Sequence, residues 1–150
     1  MTIQNIPIQI KIIDQRAIEP KYGTNFAAGA DLFAVADDTI EIDPGKTVLI
    51  HTGLSMAIPE GLVGVIAARS GLACKKGLAP ANKIGVIDSD YRGEIMVALH
   101  NHSNEVRRIE HGDRIAQIMF MPYFTANFEV VDKLDDTDRG SGGFGSTGKN

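Results

Sequence analysis

The chain has 150 residues, 43% of them hydrophobic and 23% charged, the composition of one ordinary soluble domain that buries about 68–70% of its unfolded surface. Its net charge of −4 argues against a nucleic-acid polymer as partner, because counterion release needs a basic face; a small anion held by a few arginines stays open. Cys74 is the single cysteine, so an intrachain disulfide is excluded and a reducing compartment is expected.

The first residues, MTIQNIPIQIKII, alternate apolar with polar side chains and contain no continuous apolar run. They predict neither a signal peptide nor a membrane span, and hence a cytoplasmic protein. Ile8, Ile10 and Ile12 alternate with Gln9 and Lys11 as a half-buried strand. In AGADLFA (28–34), Asp31 stands where an apolar segment begins. It is either part of a strand-initiating turn or a carboxylate near magnesium, an ion that prefers oxygen ligands and keeps several waters. Strands are predicted over 39–42, 46–50, 54–58 and 62–68, separated by Asp43-Pro44-Gly45 and Pro59-Glu60-Gly61.

Only residues 70–76 read as helical. Arg69, Ser70 and Gly71 at the start of that turn offer a guanidinium, a hydroxyl and free N–H groups to a phosphate, or simply an N-cap Ser beside a surface Arg. Cys74 reads as a small buried apolar residue, since no His motif accompanies it as a nucleophile.

GVIDSDYRGEI (85–95) runs from an apolar strand through two carboxylates and an aromatic into a second strand. Asp-Ser-Asp is turn chemistry, and Gly93 can supply a positive φ, so a hairpin is predicted. The hairpin alone does not account for Tyr91 at its tip or for Asp88 directly after three strand-forming residues. A carboxylate held at a strand end by a rigid turn can orient a water as general base. Strands follow over 94–100, 105–109, 114–120 and 127–131. His100 and His102 point both rings to one face of a strand and could begin a zinc site, but no Cys, Asp or Glu stands nearby in a ligand pattern. Gln117, inside an apolar strand, requires a polar partner, structural or ligand. Many short strands with Gly and Pro punctuation predict an all-β sandwich or barrel.

The composition changes after Leu134. Residues 135–150 carry one bulky apolar side chain, Phe144, and read as an arm outside a core of residues 1–134. Gly143 and Gly148-Lys149 come close to P-loop spacing, but Asn150 stands where that loop needs Ser or Thr. An idle tail has no use for Arg139, Phe144, Ser146 and Thr147, which among exposed N–H groups suit a base and a phosphate. A detached arm on an all-β fold also points to a groove on a neighbouring subunit.

Five segments in order, AGADL (28–32), RSGLA (69–73), GVIDSDYRGE (85–94), GDRIAQ (112–117) and RGSGGFGSTG (139–148), resemble the motifs of the homotrimeric deoxyuridine triphosphatase (dUTPase) family. They span nearly the whole chain; Ala68 departs from the Pro common before the second motif. The resemblance implies a jelly-roll β fold, a homotrimer with interfacial active sites, and Mg²⁺-assisted hydrolysis of dUTP to dUMP and pyrophosphate, which supplies a thymidylate precursor and keeps uracil out of DNA. By motif match Asp88 is the general base. Asn82 and the backbone at Val86, Ile87 and Met96 read uracil, and Tyr91 packs on the deoxyribose. Arg69, Ser70, Gly71 and Gln117 hold phosphates, and Asp31 lies in the outer sphere of a magnesium ion held mainly by phosphates and water. The arm closes as a flexible lid from another subunit, with Phe144 over uracil and Arg139, Ser146 and Thr147 on the terminal phosphates. Two rivals are a dCTP deaminase on the same fold, which needs a different proton shuttle, and a non-catalytic nucleotide sensor, whose expected loss of Asp88, Arg69 or the arm is not seen.

Overall fold

A computed structural model describes residues 5–143. Eleven strands and one helix follow in the order β1 (Gln9–Ile12), β2 (Lys21–Tyr22), β3 (Ala30–Phe33), β4 (Ile40–Ile42), β5 (Thr47–Ala57), β6 (Leu62–Ala67), α1 (Ser70–Lys76), β7 (Leu78–Pro80), β8 (Ile84–Ile87), β9 (Glu94–Asn101), β10 (Arg107–Ile109) and β11 (Arg114–Pro122). One sheet has the order β1-β5-β9-β7, a second β2-β3-β11-β6-β8, and β10 pairs with β4. All the pairings are antiparallel, and the sheets pack as the jelly-roll sandwich that the strand pattern predicts.

The core is the set of inward positions of both sheets. Along β9, Ile95, Val97 and Leu99 are buried while Glu94, Met96, Ala98 and His100 alternate outward, the period of two that a pleated strand imposes. Ile50 and Met56 from β5 meet Leu32, Ile66 and Ile118 from the opposite sheet. Thr52, Ser55 and Asn101 are the buried polar residues among those described, and Asn101 is fully bonded. Its amide donates to the carbonyls of Ile42 (2.8 Å) and Glu105 (2.7 Å), and its oxygen accepts from the Ser103 N–H (2.9 Å) and hydroxyl (2.7 Å). Buried polar atoms satisfied in this way avoid the desolvation penalty of an unpaired group.

Three expectations are corrected. The segments 46–50 and 54–58 are one strand, β5, broken in register by a bulge between His51 and Ser55 against β9. Gly53 sits in that bulge at φ 68°, where an added Cβ would lie 2.9 Å from the Cβ atoms of Ala17 and Asp14; only glycine suits both demands. Residues 127–131 form no strand: Phe128 and Val130 are more than nine-tenths exposed. A strand needs a partner edge, and the last strand among the described residues ends at Pro122. Cys74 is exposed, because α1 turns its Leu72 side, not its Cys74 side, toward the core.

Candidate active site

The 85–95 segment is not a paired hairpin. β8 pairs only with β6, and β9 pairs with β5 and β7. The turn therefore joins two strands that diverge into different sheets. Among the described residues, β8 has no strand on its side away from β6, and β9 meets β7 only from Leu99 onward, so the backbone N–H and C=O groups of β8 and of residues 94–97 are left to line the slot between them. Its mouth is a cavity of about 220 Å³ lined by Leu49, Val86, Ile87, Asp88, Tyr91, Glu94 and Met96. Five of these are residues singled out from the sequence. Leu49 and Glu94 were missed: Leu49 lies far off in sequence and joins the slot only because it faces outward from β5 next to β9. Asn82 is not among the lining residues. It occupies the exposed turn before β8, where Lys83 takes a left-handed φ of 65° and the Asn82 amide lies 3.6 Å from where a Gly85 Cβ would stand.

The turn itself is braced. Arg92 donates from Nη1 to the carbonyls of Ser89 (2.7 Å) and Tyr91 (2.9 Å). The Tyr91 N–H donates to the Asp88 carbonyl (3.2 Å), and Tyr91 Oη to the Glu94 carbonyl (3.0 Å). Gly93 does not use positive φ, contrary to expectation. It is required because a Cβ there would collide with the ring and hydroxyl of Tyr91. Asp88 is exposed at the slot's mouth, held by a backbone with little freedom to move.

A second group of side chains lies on the outer face of the other sheet. Asp31 on β3 and Ala67 on β6 both stand opposite Gln117 on β11. A register shift between Arg114 and Ala116 pairs Arg114 with Phe33, which puts it on the same face as Asp31. Arg69 Nε donates to Asp31 Oδ1 at 2.7 Å and Arg114 Nη1 to Oδ2 at 3.4 Å. Gln117 donates its amide to the Ala68 carbonyl (2.9 Å), so its demand for a partner is met structurally. An added Cβ at Gly29 would strike the Gln117 side-chain oxygen, which explains the glycine. Arg69, not Ser70, is the N-cap of α1, and it makes no side-chain cap bond. Ser70 and Gly71 are exposed beside it.

The remaining sequence candidates fall elsewhere. Arg139 lies in a turn and donates from Nε to the Gly142 carbonyl (2.9 Å); Phe144, Ser146 and Thr147 lie outside the described residues. The His100 and His102 rings meet edge-on at 4.3 Å, and Thr47 Oγ1 bonds His100 Nδ1 at 2.8 Å. Limited burial, then the neighbouring His100 and Lys83, hold the His102 pKa below the usual histidine value. Among the described residues no three His, Cys, Asp or Glu side chains gather as a metal cage, and no helix is long and apolar enough to cross a membrane.

Comparison with known proteins supplies the family. The family model for dUTPase matches residues 15–148. A deoxyuridine 5'-triphosphate nucleotidohydrolase of Desulfitobacterium hafniense (strain DSM 10664 / DCB-2) is 55% identical over 130 residues, 86% of each chain. One from Haemophilus influenzae (strain PittEE) is 48% identical over 147 residues, covering 95% of this chain and 97% of its own. The solved structure of Staphylococcus bacteriophage 80alpha dUTPase with dUPNHPP is similar at TM-score 0.85 and 28% identity, over 97% of this chain and 100% of the other. With the family model matching residues 15–148 and relatives about half identical over most of their length, this chain belongs to the dUTPase family.

Proposed function

We infer that Asp88 is the general base in the reaction that this chain catalyses, hydrolysis of dUTP to dUMP and pyrophosphate. The observation that carries the assignment is its position: a carboxylate on a braced turn at the mouth of a slot walled by unpaired backbone groups. Uracil offers one N–H donor between two carbonyl acceptors, which rigid backbone edges can match. Val86, Ile87 and Met96 then read the base, with Asn82 at the far end of β8, and Tyr91 packs on the deoxyribose. Asp88 takes a proton from a water aligned behind the α-phosphorus, and attack there releases pyrophosphate in one step.

Arg69, Ser70, Gly71 and Gln117 bind the phosphates. The donors fit a Mg²⁺ held mainly by phosphate oxygens and water. Two guanidinium contacts leave Asp31 roughly half of the about four acceptor positions of a carboxylate for metal-bound water. When bound, the ion neutralises phosphate charge.

Register supports a shared site. Ala67, two residues before Arg69, pairs with Ile84, whereas Gly64 pairs with Ile87, one residue before Asp88. Asp88 and Arg69 therefore lie at opposite ends of the β6–β8 pair, on the order of 20 Å apart at about 3.3 Å per residue. That separation is long for one triphosphate to span and favours a complete site that joins the slot of one copy to the Arg69 group of another. Exposed Phe124, Phe128, Val130 and Leu134 form an apolar run of the kind that a neighbouring chain covers. A homotrimer satisfies both demands, with residues 135–150 as the arm, closing from another subunit with Arg139, Phe144, Ser146 and Thr147 on the nucleotide. The cytoplasm is the proposed compartment, on the ground of the single exposed thiol.

Steady-state pyrophosphate release with dUTP, dCTP, dTTP and UTP tests the assignment. Turnover confined largely to dUTP is expected; ammonia released from dCTP would favour the deaminase instead.

A further inference from the structure

Glu94 has a part in the site that the reading above does not include. It faces outward from β9 opposite the β5 bulge, where the ladder between His51 and Ser55 is interrupted. Its carboxylate fills that interruption. Oε1 accepts from the Gly53 N–H at 2.8 Å and Oε2 meets His51 Nδ1 at 2.9 Å. Its carbonyl accepts the Tyr91 hydroxyl at 3.0 Å. Close by, the Ser55 hydroxyl donates to the Arg92 carbonyl at 2.8 Å. The segment bearing Tyr91 is thus tied to the bulge at two successive points, one on each side of Gly93. The bulge is itself held from behind, because the Gly53 carbonyl accepts from the Ile13 N–H at 2.8 Å.

The consequence follows from which atoms are tied. A Tyr ring swings about its Cα–Cβ bond unless its far end is held. Here the far end is held by the backbone carbonyl of Glu94, the residue whose own carboxylate is bonded to Gly53 and His51. The side chain is only one-fifth exposed, so its bonds to Gly53 and His51 compete with little water. We propose that Glu94, with His51 as its partner, is a positioning residue that sets the height of the Tyr91 ring over the slot and so sharpens discrimination between deoxyribose and ribose. This rests on the reading that Tyr91 packs against the sugar. A ring held in place crowds a 2′-hydroxyl; a ring free to swing yields to it.

The test is kcat and KM for dUTP and for UTP in the full-length enzyme. In Glu94→Ala the ratio of kcat/KM for dUTP to that for UTP should fall about tenfold, the size of one or two lost hydrogen bonds. The loss on dUTP should lie mainly in KM, because Asp88 is untouched. Glu94→Gln, whose amide oxygen still accepts from Gly53, should restore most of the ratio. His51→Ala should shift it in the same direction by less, and it serves as the milder variant if Glu94→Ala folds poorly. An unchanged dUTP/UTP ratio in Glu94→Ala and His51→Ala overturns the proposal, as does a loss in Glu94→Gln equal to that in Glu94→Ala. Tyr91→Ala separates the two levels. If it lowers the ratio while the Glu94 and His51 variants do not, only the positioning role falls; if it too leaves the ratio unchanged, the sugar reading falls with it.

Discussion

Arg69 and Asp31 form an ion pair at 2.7 Å, with side chains 25% and 15% exposed, and Arg114 approaches the same carboxylate from its other oxygen. Asp31 therefore holds the guanidinium assigned to phosphate. In Asp31→Ala, Arg69 loses its anchor and Arg114 its partner, and the two cations are left unscreened from each other. The expected result is a rise in KM for dUTP of about tenfold, consistent with a lost charged hydrogen bond, with a smaller change in kcat. Steady-state kinetics reads both; an unchanged KM refutes the anchoring role.

Asp88→Asn keeps the shape of the turn but removes the proposed proton acceptor. Hydrolysis should fall by about 10²- to 10⁴-fold, the usual contribution of general-base catalysis, while binding of a non-hydrolysable dUTP analogue stays within a few-fold. Calorimetric titration paired with a turnover assay checks this, and retained activity would remove Asp88 from the mechanism.

Gly93→Ala places a methyl group against the Tyr91 ring. Overpacking of this kind costs roughly 1–3 kcal/mol, seen as a lower denaturation midpoint. In a Tyr91→Ala background the same change should cost much less. A double-mutant cycle with no coupling would mean that the contact does not limit this position.

Ending the chain after Asp138 removes Arg139 and the glycine-rich segment but none of the strands of the described residues. Hydrolysis should be lost while the thermal midpoint moves little. Normal hydrolysis by the shortened enzyme would refute the lid.

Asp14 offers a pH test. Hydrogen bonds from the Arg16 side chain, then its N–H, lower the Asp14 pKa from 3.8 to about 2. A depressed carboxyl pKa contributes stability that is fully present above the unfolded value and is lost as pH falls through the folded one. Asp14→Asn should therefore lower the urea midpoint slightly at neutral pH, with the difference from the parent shrinking between about pH 4 and pH 2. A difference that is constant down to pH 2 would mean that the ion pair contributes nothing.

Much of the fold could be read directly. Ile95, Val97 and Leu99 alternate with outward residues, the Pro-Gly turns punctuate the strands, and residues 70–76 form the helix where they were expected. The strand predicted at 127–131 failed because period two reports only an amphipathic segment; the partner edge that makes it a strand is a tertiary property. The burial expected for Cys74 failed because a seven-residue helix buries one side, and which side depends on the sheet beneath it.

The same division holds for the site. Sequence by itself determined the residue types and their order: a carboxylate after a strand, an aromatic at a turn, an arginine at a helix start, a glutamine in an apolar run. Tertiary structure alone decided that β8 and β9 part into different sheets and open a slot, that Glu94, which accepts the Tyr91 hydroxyl, bonds a bulge glycine 41 residues away in the chain, and that Asp88 and Arg69 stand at opposite ends of one strand pair. Local pattern sets what a residue can do. Which residues meet depends on strand register, which pairs segments far apart in the chain and which no short stretch of sequence contains.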